Sequence, residues 1–300
     1  MSGQSKLPTP RILPILPLPN LGGRFFWNHS CSGYSQRIGE YNVLGKLGSG
    51  GFGYVFLVQD DKGNRFVLKV SHSKYKRYLK MEFDIGRLIL SPCFVPALEL
   101  FEDGEFTCLL FEYIPGQTLT RFMRTHRSMK DKKLIVQQLA LAIAHLHGDR
   151  EIVHLDLKPD NILIVISPQG IPQVRIIDLG LAHLFAMLAA GSVGTKGYEA
   201  PEVEFGFVYD QKADIWSLGM IISFIMTGQV STVTGTHPKN VVPFRVCTLM
   251  QPPIPEQMNS DPEMAWALQL CQACLAIDPN ARASAMELVQ MCASLKFDWF

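Results

Sequence analysis

Apolar residues along this chain follow two different periods, and the change from one to the other divides it. Between Tyr41 and Glu112 they come in short β-branched and aromatic runs: Tyr41 to Leu47, Tyr54 to Gln59, Arg65 to Val70, Ala97 to Phe101 and Thr107 to Glu112. Gly-rich or Asp-Lys-Gly-Asn turns separate the first three, which predicts a meander of antiparallel strands. One helix interrupts the run, from Lys74 to Leu90, with Tyr78, Met81, Ile85, Leu88 and Ile89 at helical spacing. It should stop at Ser91-Pro92, because a proline pushes the residue before it out of helical geometry. Pro115-Gly116 then breaks the chain.

Beyond that break the spacing is helical. Asp131 is the expected N-cap of a helix running through His147, with Leu134, Ile135, Leu139, Ala142, Ile143 and Leu146 on its buried face and Gly148 as its stop. Ile215 to Met226 is apolar nearly all the way round, the pattern of a helix at the centre of a domain. Trp266 to Ile277 reads as another apolar helix. The first 40 residues differ: Pro8, Pro10, Pro14, Pro17 and Pro19 alternate with Leu and Ile, which favours extended polyproline conformations. These prolines interrupt any apolar signal-peptide core. The expected organisation is therefore α+β in three parts: a proline-rich leader over 1–40, a small β-rich lobe with one helix over 41–114, and a larger, mostly helical lobe over 115–300.

Composition narrows the class. At 300 residues and 33.6 kDa the chain sits slightly above the length where one hydrophobic core stops growing, so two lobes are the default. With 47% hydrophobic against 18% charged residues it is not a disordered chain. Its longest apolar stretches, such as Met220 to Met226, fall far short of the roughly 20 residues of a membrane span. The 28 basic and 27 acidic side chains leave a net charge of +1, so no bulk field would recruit nucleic acid or anionic lipid. The basic runs at Lys74, Lys76, Arg77 and Lys80, and from Arg121 to Lys133, read as solvated helix faces. Seven scattered cysteines suggest a reducing compartment, the cytoplasm or the nucleus. Cys271 and Cys274 form a C-x-x-C, but inside an apolar helix with no second pair at zinc-site spacing.

The candidate chemistry begins at Gly48-Ser49-Gly50-Gly51-Phe52-Gly53. A dinucleotide-binding loop of this spacing leads into a helix. Here Tyr54 to Val58 is another strand, which excludes a Rossmann-type oxidoreductase and makes the loop a hairpin tip whose amides can cover phosphates. Lys69 lies on an otherwise apolar strand and needs a counter-charge, which Glu82 on the following helix can supply. His154-Leu155-Asp156-Leu157-Lys158-Pro159-Asp160-Asn161 and Asp178-Leu179-Gly180 complete the set. Asn161 and Asp178 are hard oxygen ligands suited to Mg²⁺, Lys158 is a phosphate-directed cation, and Asp156 is a carboxylate able to orient a hydroxyl.

In that order and spacing, these residues resemble the eukaryotic-type protein kinases from about Tyr41 to Met291. Gly194-Thr195-Lys196-Gly197-Tyr198-Glu199-Ala200-Pro201-Glu202 is similar to the family's substrate-facing loop and A-P-E motif. Asp214-Ile215-Trp216-Ser217-Leu218-Gly219 is similar to its central helix, and Arg282 falls where the family places the ion-pair partner of the A-P-E glutamate, here Glu202. The resemblance implies the bilobal kinase fold, ATP and Mg²⁺ as cofactors, and transfer of the γ-phosphate to protein substrates. By it, Leu47, Gly48, Ser49, Gly50, Gly51, Phe52 and Gly53 would cover the nucleotide. Lys69 would bind the α and β phosphates while pairing with Glu82, and Asn161 and Asp178 would hold the metal. Glu112 and Ile114 would meet adenine through backbone groups, Val55, Val67 and Leu163 would sandwich the base, and Phe111 would stand at the back of its pocket. Asp156, Lys158 and Thr195 complete the catalytic set. Lys158 and Thr195 imply the serine/threonine branch, and Leu181 leans toward serine.

Three positions depart from the pattern. Leu155 replaces the arginine of H-R-D, Leu179 the phenylalanine of D-F-G, and Gly86, four residues after Glu82, a large apolar side chain, which would leave that helix loosely held. A pseudokinase scaffold is the alternative, but it would normally lose Lys69, Asp156, Asn161 or Asp178. A small-molecule phosphotransferase would have no use for the A-P-E run. The leader reads as a disordered tail or as a strap that packs back onto the body, and as the segment that could serve a proline-motif or regulatory partner.

Overall fold

A computed structural model describes residues 37–50, 53–126, 128–148, 151–184, 193–230 and 253–294. The proline-rich leader, the loop-tip residues Gly51 and Phe52, and residues 185–192 lie outside these. The described chain forms two compact units: one of residues 37–116 with Arg175–Gly180, the other of Gln117–Val174 and residues 181–294.

The first unit is built on a six-stranded antiparallel sheet: β1 (Arg37–Ile38), β2 (Tyr41–Gly50), β3 (Gly53–Gln59), β4 (Arg65–His72), β5 (Ala97–Asp103) and β6 (Phe106–Glu112). The order is β1-β2-β3-β4-β6-β5, so the first four strands follow the chain while β6 lies inside β5. Alternation sets the two faces. Phe56, Val58, Leu68, Val70, Cys108 and Leu110 pack on one, with Ile38 and Tyr41. On the other, Leu109 meets Leu79 of helix α1 (Lys76–Leu88) and Ala97. At Gly53, φ is +140° and a Cβ would stand 2.0 Å from the Val70 carbonyl oxygen, so only glycine lets β3 start this close to β4.

Helix α1 differs from expectation in two ways. It ends at Leu88, with Ile89 already extended (φ −90°, ψ 103°), and a single 3₁₀ turn, Ser73–Tyr75, precedes it. Its buried stripe is Leu79, Glu82, Ile85 and Gly86, whereas Leu88 is exposed. Of the residues at helical spacing Ile85 and Ile89 are buried, while Leu79 and the ion-paired Glu82 take the places next to Tyr78 and Met81.

In the second unit, β7 (Gln117–Thr118) pairs with β9 (Ile162–Ile166), and β8 (Ile152–Val153) with β11 (His183–Leu184); between β9 and β11 comes β10 (Pro172–Ile176), whose last two residues belong to the first unit. The Thr118 hydroxyl caps α2 (Leu119–Thr125) by accepting from the Arg121 N–H. Helix α3 (Met129–His147) is capped by Ser128, not Asp131: the Ser128 hydroxyl accepts from the Asp131 N–H, and Asp131 sits in the first turn, where a carboxylate favours the positive helix end. After the short α4 (Pro201–Glu204) comes α5 (Lys212–Thr227), whose residues from Ala213 to Met226 are all buried. The apolar helix Ala265–Cys274 packs on α5 and stops three residues before the expected Ile277. Beyond its end, Arg282 donates from Nε to the Ala276 carbonyl and from Nη2 to that of Ile277. Cys271 and Cys274 are buried in this helix. Burial pushes the Cys271 thiol up to about 12 and the Cys274 thiol well above its usual value.

Candidate active site

The chemistry-bearing residues gather in two constellations. The first is centred on Lys69 of β4. Its register partners are Val55 on β3 and Leu109 on β6, and Val67 pairs with Phe111, so these four apolar side chains share its strand neighbourhood. Lys69 Nζ lies 2.7 Å from Glu82 Oε2 and 3.0 Å from Asp178 Oδ1. Burial opposes the charge on Lys69, but the carboxylates of Asp178 and Glu82 outweigh it and raise its pKa. Burial also raises the pKa of Glu82, against the pull of Lys69. Asp178 is held in the left-handed region (φ 65°), a conformation aspartate tolerates, and its Oδ1 also accepts from the Gly180 N–H at 3.2 Å. Its side chain is 43% exposed, unlike that of Glu82 at 2%, which leaves Asp178 accessible to a metal ion.

Leu47, Gly48, Ser49 and Gly50 end strand β2, with Gly48 opposite Val55 and Ser49 opposite Tyr54. Glu112 closes β6, and the Ile114 carbonyl accepts from the Gly116 N–H at 2.8 Å. Phe111 packs beside Leu79, Ala97 and Leu109.

The second constellation centres on Asp156. Its Oδ1 accepts from the Thr195 hydroxyl at 2.6 Å, and its Oδ2 accepts from Lys158 Nζ at 2.8 Å and from Asn161 Nδ2 at 2.9 Å. Lys158 Nζ also donates to Thr195 Oγ1 at 2.7 Å, closing a ring of three side chains. Asn161 Nδ2 reaches the Asp156 carbonyl as well, at 2.9 Å. With the amide nitrogen committed twice, the oxygen is the atom Asn161 can offer a hard cation. Leu163 follows on β9, opposite Thr118.

Sequence reasoning missed what holds this loop. Asp214, fully buried on α5, accepts from the backbone N–H of His154 (2.8 Å) and Leu155 (2.9 Å) and contacts His147 Nε2 at 2.9 Å. Burial would raise the Asp214 pKa, but the hydrogen bond and charge of His147, with His154, hold it below the ordinary carboxylate range. The clamp fixes Leu155 at φ 65°, a strained value for a non-glycine residue. The Leu155 side chain is itself buried. The usable signal was an aspartate in the first turn of an otherwise apolar helix, together with a histidine at the end of α3. Arg282 and Glu202 form a bidentate pair, Nη1 to Oε1 at 2.6 Å and Nη2 to Oε2 at 2.8 Å, with the guanidinium 5.0 Å from the Trp216 ring centroid. Lys212 Nζ donates to the Arg282 carbonyl.

Known proteins are similar to this chain over the region that holds these residues. A family described as the protein kinase domain matches residues 41–292. Mitogen-activated protein kinase kinase 2 of Arabidopsis thaliana is 31% identical over 277 residues, covering 87% of this chain and 74% of that protein. Serine/threonine-protein kinase pkn2 of Myxococcus xanthus is 32% identical over 217 residues, which is 67% of this chain but 26% of that much longer relative. Myosin light chain kinase A of Dictyostelium discoideum is 32% identical over 198 residues, 63% of this chain and 66% of its own.

Proposed function

This chain belongs to the protein kinase family and is a protein serine/threonine kinase, and from that premise we propose which of its residues perform phosphoryl transfer from ATP. Such transfer needs little covalent help from the protein, so positioning and charge neutralisation account for most of the acceleration. Asp156 orients the acceptor hydroxyl of the substrate and takes up its proton. Lys158 directs its ammonium to the transferred phosphate, and Thr195 keeps Asp156 and Lys158 in fixed relation. Lys69, held by Glu82, meets the α and β phosphates. Asn161 and Asp178 would hold Mg²⁺, which neutralises charge on the phosphates when bound. Glu112 and Ile114 serve adenine through backbone groups; Val55, Val67 and Leu163 flank it, Phe111 backs it, and the segment Leu47 to Gly53 covers the phosphates. Leu181 favours serine as acceptor.

One observation carries the reading: the carboxylate of Asp156 receives three side-chain donors, from Thr195, Lys158 and Asn161, which fixes its direction. No helix among the described residues is long and apolar enough to cross a membrane. The described cysteines are unpaired, which fits a reducing compartment, cytoplasm or nucleus. The proline-rich leader serves a regulatory or proline-motif-reading partner.

The test is transfer of labelled phosphate from Mg-ATP to a serine/threonine peptide library. Asp156→Asn should lower the rate by on the order of 10²-fold to 10⁴-fold, with an unchanged melting temperature. Undiminished transfer in that variant would remove Asp156 from the mechanism.

A further inference from the structure

The segment from Thr195 to Glu202 is anchored along its length. The Thr195 hydroxyl donates to Asp156, the Tyr198 N–H donates to the Thr195 carbonyl at 3.0 Å, the Ser217 hydroxyl donates to the Tyr198 carbonyl at 2.8 Å, and Glu202 pairs with Arg282. Ala200 and Pro201 are buried. The backbone that carries Glu199 therefore has a fixed course. Gly194 shows where that course runs: its φ is +101°, and a Cβ there would stand 2.6 Å from the Leu155 carbonyl oxygen, so only glycine lets the segment pass this close to the residue before Asp156. The same point lies 3.9 Å from the Glu199 Cβ. The Glu199 side chain thus starts beside the catalytic loop, in the unit that holds Asp156.

We propose that Glu199 is a specificity-determining residue: its carboxylate selects protein substrates that carry a lysine or arginine next to the acceptor hydroxyl. Glu199 is partly buried, yet among the described residues it makes no hydrogen bond and no ion pair. Burial raises its pKa, and the charges of Glu204 and Asp156 add to the rise while that of exposed Lys196 opposes it. A carboxylate drawn partly out of water beside two like charges is costly until a cation reaches it. Lys158, the cation of the catalytic loop, is committed to Asp156 and Thr195. A polypeptide that presents its hydroxyl to Asp156 has to pass this segment, and a basic side chain beside the acceptor supplies the missing charge. An acidic neighbour would meet Glu199, Glu204 and Asp156 together, so the same carboxylate also excludes the wrong substrates.

This inference rests on Asp156 being the group that meets the acceptor hydroxyl, so Asp156→Asn is assayed alongside and should lower transfer to every peptide alike. The purified chain is given Mg-ATP and serine peptides that carry lysine, alanine or glutamate at each position flanking the acceptor. Wild type should favour lysine over alanine in kcat/KM by roughly tenfold at one flanking position, the scale of a partly buried ion pair. Glu199→Gln should bring that ratio to within about twofold of parity, and Glu199→Lys should turn the preference toward glutamate. A side chain that only supports the loop would change all peptides in proportion and leave the ratio as it was; that result overturns the proposal, as does a wild-type enzyme with no preference for lysine. A preference kept in Glu199→Gln but lost in Asp160→Asn overturns it too, since exposed Asp160, whose charge reaches Tyr198, would then be the reader. Should Glu199→Lys fail to fold, the ratio in Glu199→Gln still decides the question. Wild-type transfer in Asp156→Asn would instead remove Asp156 from the mechanism, and with it the ground for placing the acceptor beside Glu199.

Discussion

The two constellations hold their charges in opposite ways. Around Lys69 the partners come from distant elements: Glu82 from α1 and Asp178 from a segment 109 residues along the chain, met through single contacts at 2.7 and 3.0 Å. Beyond the pair itself, packing and backbone hydrogen bonds from Leu179 to Glu82 and from Gly180 to Asp178 keep them there. Around Asp156 the partners Lys158 and Asn161 are two and five residues away, Thr195 closes the ring, and Asp214 clamps the backbone just before it. The first arrangement is set by how elements dock, the second by a dense local network. A docked pair depends on surfaces that touch neither charge, whereas a network must be attacked at its own donors.

On that contrast, the largest loss of stability from a single side chain in the helical unit comes from a buried charge pair, Arg282 with Glu202. Arg282→Ala strands the buried Glu202 carboxylate and frees the carbonyls of Ala276, Ile277 and Lys212. A cost of about 3–5 kcal/mol is expected, read as a lower denaturation midpoint in urea. A wild-type midpoint would show that the network does not carry this unit.

Thr195→Ala should cost roughly tenfold to 10²-fold in transfer rate, the worth of a charge-assisted hydrogen bond, while Thr195→Ser, which keeps the hydroxyl, should be close to wild type. Loss of activity in both would point to packing of the methyl rather than to the ring of hydrogen bonds. Comparable sensitivity to distant packing substitutions in both units would erase the contrast.

A smaller effect concerns acid. Because the Asp214 pKa is lowered in the fold, its ionised form contributes stability above the ordinary carboxylate value of about 3.9, and that contribution is lost as pH falls through the folded value. Asp214→Asn should therefore be destabilised relative to wild type at neutral pH, with the gap narrowing below about pH 4. A gap that stays constant with pH would mean the charge on Asp214 is not what the clamp uses.

The smallest effect expected is none at all. Leu155 is buried and apolar, so its position offers no cation to pair an added phosphate. Ser192, which lies outside the described residues, should tolerate Ser192→Ala at near-normal rates, and phosphatase treatment should leave initial rates unchanged. A large drop restored by autophosphorylation would show that another cation fills the place of Leu155.

The strand runs and the motif ladder were legible because each is a local matter: β-branched runs between turn residues, and chemistry carried by residue type at fixed spacing. The Glu202–Arg282 pair was an expectation of the family resemblance, and the structure forms it. What the sequence left open depended on neighbours far along the chain. Ser128 caps α3 in place of Asp131 because two capping side chains stood within one turn and only backbone direction chooses between them. The carbonyls just past the helix ending at Cys274 are taken by a guanidinium several residues on. Asp214 read as one polar residue at the start of an apolar helix until His147, His154 and Leu155 were seen to converge on it. Gly86 is the clearest case: the sequence alone makes it a missing side chain, and only the fold shows that a Cβ there would stand 3.1 Å from that of Ala97. Residue type determines what chemistry a position can offer, but the distance between two elements is a property of both surfaces together, and only their packing in the fold decides it.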